Sequence, residues 1–285
     1  MCGRVACTLA PERLRVLTES QEWIDPKKSY LPSFNAPPTS SLPVLVPQNG
    51  RVLQVMHWGL IPSFSESSDM NYSSFNARVE TLSQKPMYRR LINRNRCVAV
   101  IEGFYEWKST PGKIKVPYYI QQEDSSLSYL AGLYDCWENP DGEDHKYSFT
   151  VITRDSTKDV SWLHTRMPLV LDSSEKVNTW LFGTEEQAKE LLEQQSTSTT
   201  LGSTLSFVEV SQHVNTVKNN DAKCRKPLAE VKQEALHQFL RPAPKKETPA
   251  ATGSDVDQKP PSVVQTIKQE KKGTKTQPTL HQFFK

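Results

Sequence analysis

Cys97-Val-Ala-Val-Ile101, followed at once by Glu102 and Gly103-Phe-Tyr-Glu-Trp107, is a short apolar run rich in β-branched and aromatic residues. Such a run is too short for a buried helix and fits a buried strand. Working outward, runs of the same kind recur between turn signals at Pro43–Val46, Arg51–Met56, Val116–Ile120, Leu127–Leu133, Tyr147–Ile152, Met167–Leu171 and Leu205–Val210. Helical patterns are fewer: Glu12–Ser20, Lys85–Asn93, Ser174–Trp180 and Thr184–Gln194, the last rich in good helix formers. Many strands with interspersed helices, and no βαβ rhythm or glycine-rich phosphate loop, predict an α+β fold. The expectation is one strand-rich domain with a curled or barrel-like sheet and a few helices, followed by a disordered tail.

Composition agrees with that division. Of the 285 residues, 36% are hydrophobic and 24% charged, a low apolar share that suits a globular domain over residues 1–228 and a polar tail over 229–285. Residues 241–276 hold no aromatic side chain and are rich in Pro, Lys, Thr and Gln; too little apolar surface is available there to offset the entropy of ordering. Net charge is +3, and from Lys226 onward basic residues outnumber acidic ones eleven to six, so the rest is close to neutral. A nucleic-acid groove in the folded part must therefore come from local clustering. No apolar run reaches membrane-spanning length, and Met1–Arg15 lacks the core of a secretory signal, so an intracellular protein is expected. The five cysteines (Cys2, Cys7, Cys97, Cys136, Cys224) are scattered without a C-x-x-C pair, which supports neither a disulfide framework nor a metal site; no cofactor is expected.

Cys2 carries distinctive chemistry. Its small side chain favours removal of Met1, which leaves a cysteine with a free α-amine beside its thiol. Both groups are partly nucleophilic near neutral pH. With an aldehyde the amine forms a Schiff base, and the thiol closes a five-membered thiazolidine ring. An N-terminal Met-Cys pair is by itself also compatible with an inert cysteine.

Further motifs follow in order: Met1-Cys-Gly-Arg4, Phe34-Asn-Ala-Pro-Pro-Thr39, Trp58-Gly-Leu-Ile-Pro62, Phe75-Asn-Ala-Arg-Val-Glu-Thr81, Gly103-Phe-Tyr-Glu-Trp107, His164-Thr-Arg-Met-Pro168 and Val210-Ser-x-x-Val-Asn-x-Val-x-Asn219. Together they resemble the SRAP (SOS-response-associated peptidase) family from residue 2 to about 228. The resemblance implies covalent capture of abasic sites in single-stranded DNA, with Cys2 as nucleophile. It implies that Asn76 hydrogen-bonds the adduct, that Glu106 is the acid/base, and that His164 helps open the deoxyribose to its aldehyde; a carboxylate plus an imidazole suits that proton traffic. Arg4 and Arg78 resemble phosphate ligands. Thiol peptidase chemistry is implied too, chiefly self-directed at Met1.

Plainer readings stand beside these. Glu106 could be a half-exposed strand carboxylate, His164 a satisfied histidine before a strand, and Asn76 and Arg78 turn and surface residues. Trp58, Phe104, Tyr105 and Trp107 could be core or base-stacking faces, the latter a known device of single-strand binders. Phe64 stands where the family has Trp, keeping a flat face and losing the indole N–H. The segment containing Lys85, Arg89, Arg90, Arg94 and Arg96 either tracks a DNA backbone or is a solvated helix face. Rival functions are a non-covalent reader of modified bases and a thiol peptidase acting on other proteins.

The tail has its own signal. Gln277-x-x-Leu280-x-x-Phe283-Phe284 resembles the peptide box that docks on a replication sliding clamp, and Gln233-x-x-Leu236-x-x-Phe239-Leu240 is a degraded copy, either a weak second box or a terminal helix. Lys232 and Lys268, each in a Val/Ile-Lys-Gln-Glu string, match a SUMO acceptor pattern. A monomer in the nucleus, associated with replication forks, completes the expectation.

Overall fold

A computed structural model describes residues 2–24, 30–68, 74–112, 114–139, 142, 145–202 and 205–240. The strand runs read from the sequence become two sheets. The larger is built from β2 (Glu22–Ile24), β4 (Ser41–Pro47), β5 (Arg51–Trp58), β6 (Asn76–Arg78), β7 (Arg96–Ile101), β10 (Ser128–Glu138), β11 (His145–Asp155) and β12 (Arg166–Pro168). Within it the strands β11-β10-β7-β4-β5 follow one another antiparallel, and a short parallel pairing of Ser148 with His57 and Phe149 with Trp58 joins β11 back to β5. That pairing closes the curl into a five-stranded barrel, as the pattern of alternating apolar runs leads one to expect. The second sheet is antiparallel, with order β13-β9-β8-β1-β3: β1 (Val5–Cys7), β3 (Ser33–Ala36), β8 (Gly103–Ser109), β9 (Lys115–Gln122) and β13 (Leu205–Glu209).

The described residues include six α-helices: α1 (Pro11–Leu17), α2 (Pro86–Ile92), α3 (Lys158–Ser161), α4 (Ser174–Phe182) and α5 (Glu185–Thr197) in the first part of the chain, and α6 (Leu228–Leu240) after it. Helix α5 begins at a complete capping box, in which Thr184 accepts from the Gln187 N–H while the Gln187 side chain accepts from the Thr184 N–H. Contacts divide the chain into Met1–Leu228 and Ala229–Lys285. In the second unit, Leu236, Phe239 and Leu240 of α6 are exposed, and Gln233–Leu240 is helical. Residues 241–285, with Lys268 and the box Gln277–Phe284, lie outside the described residues.

The core explains the strand signals. Strand β7 is buried along its whole length because α4 and β1 pack on it as well as its barrel neighbours, which is why Cys97–Ile101 does not alternate with polar residues. Val44, Leu45, Leu53, Val98, Leu133, Phe149 and Ile152 are all fully buried; each contributes roughly 1.5–3 kcal/mol of transfer free energy. At Gly103, where the chain passes from β7 into β8, an added Cβ would lie 2.6 Å from the Ile120 carbonyl oxygen, so the close approach of β9 requires glycine there.

Two sequence expectations change. Trp58 is fully buried, and its indole N–H donates to the Phe75 carbonyl at 3.0 Å; it anchors the barrel seam and offers no face to a base. Arg96, read as part of a basic DNA-tracking segment, is buried and donates to three backbone carbonyls: Trp180 at 2.5 Å, Ile92 at 2.9 Å, and Gly183. These carbonyls lie at the C-terminal ends of α4 and α2, where a cation is favoured. Replacing Arg96 by Met leaves all three without this donor. Arg96→Met should therefore lower unfolding free energy by about 2–4 kcal/mol, and Arg96→Lys should recover only part of the loss, because an ammonium lacks the planar fork. Urea midpoints of the two variants against wild type check this.

Candidate active site

The first residues of the chain are held by pairing on both sides. Val5 faces Ala36 of β3 and Phe104 of β8, and the Tyr105 N–H donates to the Arg4 carbonyl at 2.9 Å. This threading brings Cys2 beside Glu106, the third residue after Gly103 in β8. Cys2 is fully buried, and its thiol is pushed far above its ordinary value, by burial first and by the nearby Glu106 charge second. Glu106 is itself only 3% exposed, and burial holds its carboxyl above the usual range, against the opposing pull of His164.

Two other residues arrive from either edge of β11. Strand β6 pairs in parallel with β11, Val151 opposite Asn76, and places Asn76 so that its amide N–H donates to the Cys2 carbonyl at 2.7 Å. The Asn76 Oδ1 is buried with no hydrogen-bond partner among the described residues. Strand β12 pairs with β11 from the other direction, Arg166 opposite Asp155, and His164 lies just before it. The His164 Nδ1 is 3.0 Å from both the N–H and the carbonyl oxygen of Arg166. A neutral ring can accept there and leave its proton on Nε2; a charged ring can donate to the carbonyl instead. Arg166 is fastened in turn, donating to Glu80 and Asp155 at 2.7 Å each and to the Thr153 carbonyl at 2.8 Å.

Glu106 and His164 open onto a cavity of about 460 Å³ whose other walls are Arg4, Trp107, Ser109, Lys115 and Asn215. Arg4 donates to Asn35 Oδ1 at 2.7 Å and to the Val214 carbonyl at 2.9 Å, and its guanidinium lies 5.6 Å from the centroid of the Trp107 ring. The Trp107 N–H donates to Asn215 Oδ1 at 2.7 Å. Asn35 holds this corner with donations to the carbonyls of Val214, Thr216 and Asn219. A slightly larger cavity, about 520 Å³, is walled by Glu123, Asp124 and Asp172 among others, an acidic lining unsuited to a polyanion.

Cys2, Asn76, Glu106, His164 and Arg4, the candidates named from the sequence, thus lie close to one another. Arg78 is exposed at the end of β6. Phe64, Arg89 and Arg90 form a second cluster: Phe64 is exposed, Arg90 lies 5.1 Å from its ring centroid, donates to Ser63 at 3.0 Å and pairs with Asp135, and Arg89 neighbours Arg90 on α2. Lys115, Ser109 and Asn215 were not singled out from the sequence. Asn215 sits in the quoted Val210–Asn219 string, whereas nothing in the sequence distinguishes Lys115 or Ser109.

The pairing of β1 thus sets the start of the chain beside a buried carboxyl on β8. The SOS response associated peptidase (SRAP) family model matches residues 1–217. Abasic site processing protein HMCES of Xenopus tropicalis is 36% identical over 264 residues, covering 79% of this chain and 77% of that one. Abasic site processing protein YoqW of Bacillus subtilis is 36% identical over 185 residues, covering 64% of this chain and 80% of that one. A crystal structure of a protein from Bacteroides thetaiotaomicron shares the fold, with TM-score 0.68 and 22% identity over 79% of this chain and 99% of that one. The chain belongs to the SRAP family.

The buried carboxyl has a measurable consequence. Its folded-state pKa lies above its unfolded one, so the native state binds more protons and stability falls as pH rises from about 4.5, the ordinary value, through the raised one. Glu106→Gln should therefore raise the urea midpoint at pH 7 relative to wild type, and the gain should shrink toward nothing below that ordinary value.

Proposed function

We propose that this protein processes abasic sites in single-stranded DNA by covalent capture through Cys2, once Met1 has been removed. The single observation that carries the proposal is that Glu106 and His164 line one cavity while Cys2 lies buried beside Glu106 with Asn76 hydrogen-bonded to its carbonyl. The names of the relatives support the substrate class.

The geometry supports an order of events. An abasic sugar is mostly a closed hemiacetal, and His164, with a proton available on Nε2, is placed to assist its opening. The buried thiol stays protonated, so the α-amine of Cys2 attacks C1′ of the aldehyde first. Glu106, kept protonated more than an ordinary carboxyl, gives its proton to the departing hydroxyl, and water leaves as the imine forms. The imine forms with one proton still on its nitrogen; the thiol then adds to the imine carbon, its proton returns to the Glu106 carboxylate, and a neutral thiazolidine results. Asn76 holds the Cys2 carbonyl on one side and offers its unpartnered Oδ1 to the N–H of the new ring. Arg4, Arg78 and Lys115 are the cations placed to meet phosphate. The same thiol, carboxyl and imidazole suit the removal of Met1.

Recruitment is assigned to the tail. The close-to-neutral charge of the chain before Lys226 gives it little bulk attraction to DNA, and the Gln277–Phe284 box supplies an address on the replication clamp, hence a nuclear, fork-associated role; Lys232 and Lys268 are candidate SUMO acceptors.

Two experiments test this. The mature protein incubated with abasic single-stranded DNA should give a heat-stable shifted band; Cys2→Ala should abolish it, and so should an acetyl group on the α-amine. An unchanged yield in Cys2→Ala contradicts the mechanism. A peptide covering residues 274–285 should bind a sliding clamp, and replacing Phe283 and Phe284 with Ala should remove that binding, since the two aromatics supply most of the apolar area to be buried.

A further inference from the structure

Trp162, two residues before His164, is 42% exposed although it is held on three sides. Its indole N–H donates to the Asp159 carbonyl at 2.9 Å. Its ring meets Tyr118 at 5.2 Å and Phe207 at 5.5 Å between centroids, both steeply inclined. The Lys108 ammonium lies 4.7 Å from its centroid. Strand register shows where this cluster sits. Tyr118 pairs with Glu106, and Phe207 pairs with Ile120, which pairs with Phe104. Residues directly opposite share a face, as do residues two apart on a strand. Trp162 therefore packs on the face of β8-β9-β13 that carries Glu106 and Lys108, and Lys115 lines the cavity onto which Glu106 opens.

A rigid aromatic ring left partly in water, with a cation over it, matches the needs of an unpaired nucleotide. Its base has a flat apolar face for stacking, and its phosphate seeks a cation. We propose that Trp162, with Lys108, seats the nucleotide that flanks the abasic sugar: its base stacks on the indole and its phosphate meets the Lys108 ammonium. The inference rests on the abasic-site reading and adds the residues that grip the DNA next to the lesion. An indole held by a hydrogen bond and two aromatic neighbours loses little freedom when a base lands on it, so most of the stacking free energy appears as affinity.

The test separates binding from chemistry. In the Cys2→Ala background binding is reversible, and half-saturating concentrations are read by fluorescence anisotropy on single-stranded oligonucleotides with one central abasic site. Three oligonucleotides are compared: natural bases on both sides, and a tetrahydrofuran spacer in place of the 5′ or the 3′ flanking nucleotide's base. Trp162→Ala should weaken binding to the natural oligonucleotide by about tenfold, and Trp162→Phe should restore most of it. On the spacer oligonucleotide that removes the stacked base, the Trp162-intact protein should weaken by a similar factor, and Trp162→Ala should add nothing further. The proposal is overturned if Trp162→Ala binds the natural oligonucleotide as tightly as its parent, or if the losses multiply on both spacer oligonucleotides. If instead the Cys2-intact protein forms no crosslink on the natural oligonucleotide, it is the capture reading that fails, while the binding comparison still decides the role of Trp162.

Discussion

The proposed chemistry depends on a carboxyl kept out of water beside a thiol kept out of water. Glu106 and Cys2 are both buried, burial raises the cost of ionising each, and the Glu106 charge raises it further for the Cys2 thiol. In the proposed reaction, a carboxyl shifted toward its protonated form gives a proton to the departing hydroxyl more readily than an ordinary one, and the protonated thiol adds once an imine is formed beside it. The arrangement destabilises the fold locally, and the surrounding pairing of β1 with β3 and β8 sustains it.

The architecture makes that pairing dependable. One strand, β11, closes the barrel against β5 and also receives β6 and β12, which deliver Asn76 and His164. The ion pair of Arg166 with Glu80 then ties the segment after Asn76 to the segment after His164. Site geometry is thereby coupled to the barrel seam, where Trp58 lies buried with its N–H on the Phe75 carbonyl, one residue before Asn76. The motifs Trp58–Pro62, Phe75–Thr81 and His164–Pro168 are therefore a structural seam as much as a set of reactive groups.

The barrel was legible because its strands are apolar, β-branched and bounded by turns, as in Cys97–Ile101 and Tyr147–Ile152. Short strands were not: Val5–Cys7, Glu22–Ile24 and Asn76–Arg78 have three residues each, too few to show a period, and they exist because neighbours pair with them. Reactive residues were legible only as an ordered set of motifs, since a lone Glu, His or Asn carries no pattern. Trp58 and Arg96 were misplaced for one reason: composition marks an aromatic or a cation without saying whether its N–H groups find carbonyls inside the fold. Trp162 left no mark in the sequence, because its meaning comes from register across β8, β9 and β13.

In the proposed capture, one carbon of the abasic sugar ends up bonded to both the nitrogen and the sulfur of Cys2. An oligonucleotide carrying carbon-13 at C1′ of the abasic site, reacted with the mature protein and digested to the Cys2 peptide, allows that carbon to be identified by NMR. A tetrahedral carbon coupled to nitrogen-15 in labelled protein, with the thiol no longer open to alkylation, is the result expected. A trigonal imine carbon, or a thiol still free to alkylate in the isolated adduct, would contradict the account.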